Sequence, residues 1–130
     1  MKDITDSPNW QKYVVQDKEF AREPRNQAAK LSLDGFPLFK TKDSYSCWAC
    51  ASVSLNRPPD SRSKAHNINL HWLTTGGKEP QSLQAMMEVL VDDFLEGWKN
   101  GFVVFDAARG EEFCCRVKLL LVAADWKGTF

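Results

Sequence analysis

The sequence has no long apolar run, no excess of charge of either sign and only two histidines. Its longest uninterrupted apolar segment, residues 119–124, is far shorter than the roughly 18 residues that a membrane-spanning helix requires. Residues 1–6 lack the apolar core of a secretory signal peptide. These absences predict an intracellular protein with no membrane partner.

The charges balance, with 17 Lys and Arg residues against 17 Asp and Glu residues. A stand-alone basic DNA-binding module is therefore disfavoured, because such modules gain much of their affinity from cationic side chains on phosphates. The hydrophobic fraction of 43% and the aromatic fraction of 12% are typical of a globular protein. A length of 130 residues predicts one domain.

Four cysteines are present: Cys47, Cys50, Cys114 and Cys115. The spacing of the first pair is that of half a zinc site, and the second pair could supply two further ligands. However, all four fall within predicted strands, and positions 47 and 50 of a strand face opposite sides. Buried free cysteines are therefore favoured over a zinc site.

Apolar periodicity divides the chain into alternating helices and strands. A helical segment is predicted from Ser7 to Glu23, where Pro24 ends it. Strands are predicted over residues 28–34, 46–55, 67–73, 102–105 and 113–124. A long helix is predicted over residues 81–100, where apolar residues recur at helical spacing. The last strand is expected to begin with Arg116 and Lys118 exposed and to end buried at the centre of a sheet.

This order predicts an α/β protein of the α+β kind, with a mixed sheet and a long crossover helix, as in the first half of a ribonuclease H-like fold. In that fold the first strand and the strand after the helix lie side by side. Residues 1–28 are assigned to an N-terminal helical segment and residues 29–130 to a partial core. No helix follows the last strand to cover the second face of the sheet, so a truncated core and self-association are expected.

Two acids, Asp34 and Asp125, come at the ends of the first and last long strands. Open α/β sheets place their ligands at the carboxyl ends of neighbouring strands. Carboxylates there can hold Mg²⁺, and a pair of such ions assists phosphoryl transfer. The alternative is that both residues are turn formers.

The other polar residues support no enzyme motif. His66 and His71 lie outside any hydrolase or protease motif and are expected in a loop and on a strand surface. Arg57, Arg62 and Lys64 form a cationic cluster after the second long strand. Contact with phosphate and a solvated loop are equally favoured for this cluster.

Several short segments occur in a characteristic order. They are Glu23-Pro24-Arg25-Asn26, Leu33-Asp34-Gly35-Phe36-Pro37-Leu38-Phe39, Tyr45-Ser46-Cys47-Trp48, Asn56-Arg57-Pro58-Pro59 with Arg62, Gly76-Gly77-Lys78-Glu79-Pro80, Phe105-Asp106-Ala107 and residues 119–125. Together they resemble the transposase domain of CACTA (En/Spm-type) DNA transposons. Because these separated motifs occur in the right order over nearly the whole chain, the resemblance is far more specific than one Asp-Gly pair.

The resemblance implies a DDE-type transposase core, which cuts transposon ends and joins them to target DNA with Mg²⁺ or Mn²⁺. Asp34 matches the first acid of such cores and Asp125 the second, although Trp126-Lys127-Gly128 replaces the Pro-Ala pair that usually follows. The third acid would lie beyond this sequence.

The resemblance therefore implies a catalytic-domain fragment that is inactive alone. In the full-length protein its partners would be transposon-end and target DNA. A functional transposase is expected in the nucleus, and otherwise the chain is expected in the cytoplasm. The alternative is a decayed or repurposed remnant that acts as a non-catalytic interaction module.

Overall fold

The computed structural model describes residues 2–37, 46–74 and 83–124. The helices are α1 (Pro8–Trp10), α2 (Lys18–Ala21), α3 (Pro59–Arg62) and α4 (Leu83–Lys99). The strands are β1 (Gln27–Pro37), β2 (Ser46–Ser54), β3 (Ile68–Thr74), β4 (Phe102–Asp106), β5 (Glu111–Cys115) and β6 (Val117–Ala124). No helix in these ranges is long and apolar enough to span a membrane.

The predicted N-terminal helical segment consists of two short helices with side-chain caps. The Ser7 hydroxyl accepts a hydrogen bond from the backbone amide of Trp10, and Pro8 occupies the first position of α1. A π-helical stretch, Gln11–Val15, continues α1. The Asp17 carboxylate then caps α2. These caps satisfy amide groups that a helix start leaves unpaired.

Four strands form a mixed sheet in the order β3-β2-β1-β6. β1 pairs antiparallel with β2, and β2 pairs antiparallel with β3. β6 pairs parallel with β1, so the prediction that these two strands are parallel neighbours is confirmed. A parallel pair requires a crossover connection, which includes α4 here.

The helix α4 packs on one face of the sheet. Its Leu90 is buried in a cluster with Leu31, Leu33 and Cys50, and Met87 and Phe94 pack against the same cluster. The apolar spacing along α4 predicts that Val91 also joins this contact, but Val91 is 38% exposed. The buried stripe of α4 is therefore narrower than its apolar pattern.

The predicted long strand of residues 113–124 is two strands. β5 pairs with β4 in a separate two-stranded sheet, and β6 joins the main sheet. The break falls at Arg116, whose backbone amide donates to Asn26 Oδ1 and whose carbonyl accepts from the amide of Gln27. These bonds start the pairing of β6 with β1.

The exposure predicted for Lys118 is wrong, and so is the position predicted for the end of this segment at the centre of the sheet. Lys118 is only 7% exposed, because its Nζ donates to the carbonyl of Tyr13 and to Asp17. Val122 is 59% exposed. Within the described residues β6 is an edge strand and does not lie at the centre of the sheet.

The second face of the sheet carries exposed apolar side chains. Ile68, Leu70 and Leu73 of β3 are all exposed. They pair with the β2 residues that alternate with Cys50 and Ser52, which places them on the face opposite α4. The expected exposed apolar surface is therefore present, but its main residues belong to β3.

Candidate active site at the carboxyl end of the parallel strands

Asp34 lies within β1, opposite Ala49 of β2. The prediction that the strand ends at this acid is wrong, because pairing with β2 continues through Gly35 and Phe36 to Pro37. Asp is depleted in strands, since its short polar side chain favours turns. The turn-former alternative therefore does not explain Asp34.

The Asp34 side chain is exposed. Its neighbour Leu33 faces α4, so strand alternation places Asp34 on the opposite face of the sheet. In residues 2–37, 46–74 and 83–124 no hydrogen bond or ion pair to the Asp34 carboxylate is found. The carboxylate is therefore accessible to an ion or substrate in solution.

Gly35 permits an aromatic ring to cross the strand next to Asp34. A Cβ atom at Gly35 would lie 2.8 Å from Cε2 of Trp48, closer than two carbon atoms can approach. The Trp48 side chain packs against the core cluster, so it has little room to retreat. The Asp-Gly pair thus combines an accessible acid with a tightly packed backbone.

The register of the β1–β6 pair relates the two predicted acids to each other. The last paired residues in the described part of this ladder are Leu33 and Ala124. Each of them immediately precedes one acid in the sequence, Asp34 or Asp125. Asp125 itself lies outside the described residues, so its role as a second ligand stays a prediction.

At the amino end of β1, two asparagines from the resemblance motifs support the fold. Asn26 is 4% exposed; its Nδ2 donates to the carbonyl of Phe20, and its Oδ1 accepts from the amide of Arg116 at 2.7 Å. Asn56 Oδ1 accepts from the amide of Ala28 at 2.7 Å, and its Nδ2 donates to the carbonyl of Asn26. These bonds join β1 to α2, β6 and the end of β2.

Arg25 holds the β4–β5 hairpin to the start of β1. Its guanidinium donates to Glu23 at 2.8 Å, to Asp106 at 2.9 Å and to Glu111 at 3.0 Å. The same group lies 3.8 Å from the centroid of the Phe113 ring. Hydrogen bonds from Arg25 lower the pKa of Glu23 to about 2 and lower the pKa of Asp106. Sequence analysis assigned no role to these residues.

Both sequence interpretations of Arg62 are wrong. Its guanidinium donates to both carboxylate oxygens of Asp3, at 2.6 and 2.8 Å, and to the carbonyl of Leu55 at 2.7 Å. The bidentate pair holds the pKa of Asp3 well below its usual range. Arg62 therefore fastens the N-terminal segment to the end of β2. By contrast, Arg57 and Lys64 are exposed and form no ion pair within the described ranges.

The histidine and cysteine predictions are both partly confirmed, since His66 was expected in a loop but lies in a short 3-10 helix, Ala65–Asn67. His66 and His71 are exposed, with His71 on β3. All four cysteines are free, and Cys47, Cys50 and Cys115 are buried. Cys114 is exposed, because no described element covers that position of the two-stranded sheet. The described part of the chain holds no cluster of three or more His, Cys, Asp or Glu residues suited to a metal.

The comparisons with known proteins give one family. Residues 1–129 match the family described as "Transposase family tnp2". No curated protein matches the chain, and no solved structure does. Since the match covers nearly the whole sequence, the chain belongs to the transposase family tnp2.

Proposed function

We propose that the chain carries the first part of a DDE-type catalytic centre for metal-dependent DNA cleavage and strand transfer. The observation that carries this proposal is the placement of Asp34. It is an exposed acid inside a strand, next in sequence to the last described residue pair of the parallel ladder. The amino acid that follows Ala124, the other member of that pair, is Asp125.

The topology supports a ribonuclease H-like core. Three antiparallel strands are followed by α4, the β4–β5 hairpin and a strand parallel to β1. This is the order expected for the first half of that fold, with the hairpin inserted before the parallel strand. Membership of a transposase family also fits this interpretation. The motifs described above favour the CACTA (En/Spm-type) subtype.

Asp34 has the chemistry of a ligand for Mg²⁺ or Mn²⁺. Its carboxylate is a hard oxygen donor, and no described cation neutralises it. A divalent ion would supply stabilisation of charge on the attacking and leaving oxygens of a phosphate. We propose Asp34 as one ligand and Asp125 as a second. Two carboxylates are too few to hold two octahedral ions, so the isolated chain is expected to be inactive.

The proposed partners are DNA molecules, because the proposed chemistry acts on DNA phosphates. Transposon-end and target DNA would approach the face of the sheet that carries Asp34, opposite α4. The formal net charge of 0 provides little general attraction for DNA. Recognition of transposon ends would therefore depend on other parts of a full-length transposase. Such a protein would act in the nucleus.

One observation favours a second candidate, a remnant that serves as a non-catalytic interaction module. Ile68, Leu70 and Leu73 form an exposed apolar group on the sheet. Contiguous exposed apolar groups are a feature of protein–protein contact surfaces. The two candidates differ in the role of Asp34, which is essential only for the first.

Metal titration tests the proposal. Calorimetry with Mg²⁺ and Mn²⁺ relaxation should detect weak binding, of roughly millimolar affinity as for weak oxygen sites. We expect binding to fall in Asp34→Asn and Asp125→Asn. Asp60→Asn is the matched control, since Asp60 is an exposed acid at α3, remote in sequence from both.

One result would count against the catalytic proposal, and another would revise it. Unchanged binding in both variants would favour the interaction module. Metal-dependent nicking of DNA by the purified chain, abolished by Asp34→Asn, would support Asp34 but overturn the claim that further acids are required.

A further inference from the structure

A cavity of about 320 Å³ with a mixed polar and apolar lining opens at the amino end of β1, on the side of the sheet that carries α4. This volume lies at the lower end of the roughly 300–1,000 Å³ range typical of small-ligand sites. The side chains that matter for its chemistry are Arg57, His66, His71, Ser52, Asn69 and Phe94. The first loop after β2, the strand β3 and the helix α4 all contribute to its wall.

The charge of the cavity lining has one sign. Among the described lining residues Arg57 carries the only permanent charge, and none is a carboxylate. The imidazoles of His66 and His71 also line the cavity, and burial lowers the pKa of His71, which favours its neutral form. Asp93, whose charge acts on His71, lines a neighbouring apolar cavity. In a chain whose total charge is 0, this lining is locally suited to an anion.

Arg57 differs from Arg62, the other arginine of this motif. Arg62 is fully engaged with Asp3 and Leu55, so its role in the fold is clear. The Arg57 guanidinium makes no hydrogen bond or ion pair in the parts of the chain that are described. Its five N–H donors are therefore available, and their planar fork suits phosphate oxygens.

The floor of the cavity is built from ordered polar groups. Ser52 is 6% exposed and lies in β2, opposite the fully buried Leu31. Its hydroxyl forms a 2.8 Å hydrogen bond with Nε2 of His71. The His71 ring also meets Phe94 edge-on, with 6.0 Å between ring centroids. These contacts hold Ser52 and His71 in place on the floor of the cavity, beside the Phe94 ring.

We propose that this cavity binds the phosphate of a nucleotide unit, with Arg57 as the main contact and Phe94 as the wall for the organic part. A volume of about 320 Å³ exceeds the needs of inorganic phosphate and suits a nucleotide. Ala29, which lines the cavity, is five strand positions from Asp34, or about 16 Å along β1. Asp34 also lies on the opposite face. The inference therefore does not depend on the proposed metal site.

Binding experiments on the whole chain test this proposal. Calorimetry at constant ionic strength would use inorganic phosphate, a deoxynucleoside 5′-monophosphate and a 5′-phosphorylated single-stranded hexanucleotide. We expect the monophosphate to bind more tightly than inorganic phosphate. Arg57→Gln should weaken it about tenfold, the effect of losing a charge-assisted contact. Arg109→Gln is the control, because Arg109 is exposed on the hairpin turn.

The comparison of probes also identifies the source of the nucleotide. Tighter binding of the hexanucleotide than of the monophosphate, lost in Arg57→Gln, would support the proposal with DNA as the source. Equal binding of both, lost in the same variant, would support it with a free nucleotide. Equal affinity for inorganic phosphate and the monophosphate, an equal loss in Arg109→Gln, or no binding at all would overturn it.

Discussion

The two ends of β1 differ in how their polar groups are satisfied. At the amino end, Arg25 and Asn26 are engaged with α2, β6 and the hairpin. Near the carboxyl end, Asp34 is exposed and has no partner in the described ranges. Both ends contain motif residues. Those at the amino end have a structural explanation, as does Gly35 near the carboxyl end, whereas Asp34 has none in the described ranges. A recurring motif is therefore not by itself a mark of catalysis.

Burial explains this difference. A buried polar group costs free energy unless it has hydrogen-bond partners, so Asn26 is constrained by three neighbouring segments. An exposed carboxylate such as Asp34 keeps its hydration and needs no such partners. Substitutions at the amino end of β1 should therefore lower the stability of the fold, whereas substitution of Asp34 should lower metal binding.

The largest effect on stability is expected for Asn26→Ala. The substitution leaves the Phe20 carbonyl and the Arg116 amide without their partners. We expect the free energy of unfolding in urea to fall by about 3 kcal/mol, since each buried group left unpaired costs about 1–3 kcal/mol. A loss below about 0.5 kcal/mol would show that water replaces both bonds and would weaken the contrast between the two ends.

Arg25→Ala should act more locally. The variant loses the contacts to Glu23, Asp106 and Glu111, together with the stacking on Phe113. Hydrogen exchange should become roughly tenfold faster for the amides of β4 and β5, while β1–β2 amides change less. Arg109→Ala provides the control. Uniform acceleration across both sheets would instead indicate that the hairpin and the main sheet open together.

Acid should weaken the ion pairs of Glu23 and Asp3, with a smaller effect on stability at any one pH. Hydrogen bonds from Arg25 and Arg62 lower the pKa values of Glu23 and Asp3 from their ordinary 4.5 and 3.8. Groups with lowered pKa values stabilise the fold above the ordinary values, and this stability is lost as the pH falls through the folded values. For Glu23 the loss should run from about pH 4.5 to about pH 2.

Urea unfolding at a series of pH values measures this acid effect. In Arg62→Gln the pKa of Asp3 should rise towards its ordinary value, so the loss of stability on acidification should be smaller. Stability that is constant from pH 5 to pH 2 would be inconsistent with the roles of these pairs.

The smallest effect on stability is expected for Asp34→Asn. The side chain is exposed and has no partner within the described ranges, so the free energy of unfolding should change by less than about 0.5 kcal/mol. Thermal melting with and without Mn²⁺ measures this change in stability. A large loss of stability would give Asp34 a structural role like that of Asn26. The proposed separation between the two ends would then fail.

Local patterns were sufficient to predict most elements of this protein. The periodicity of residues 81–100 predicted α4, and alternation predicted β1 and β3. A run of aromatic, β-branched and small apolar residues predicted β2. The parallel pairing of β1 and β6 also followed, because a crossover helix between two strands favours it. Asp34 was predicted as a site residue from its position near a strand end, and it stays a candidate for that role.

Contacts between distant segments decided the rest. Arg116 interrupts the last predicted strand because the side chain of Asn26 and the backbone of Gln27 bind its main chain. Lys118 is buried because the N-terminal segment supplies an acceptor carbonyl and the carboxylate of Asp17. Pattern within a strand carries no information about these partners.

The sequence by itself determined where most helices and strands lie, and that one acid comes near the end of the first strand. The tertiary structure decided which charged and polar residues are committed to the fold and which are free to act on a ligand. The physical reason is that periodicity depends on neighbours along the chain. The cost of burying a polar group depends instead on partners far away in sequence, such as those of Arg25, Arg62 and Lys118.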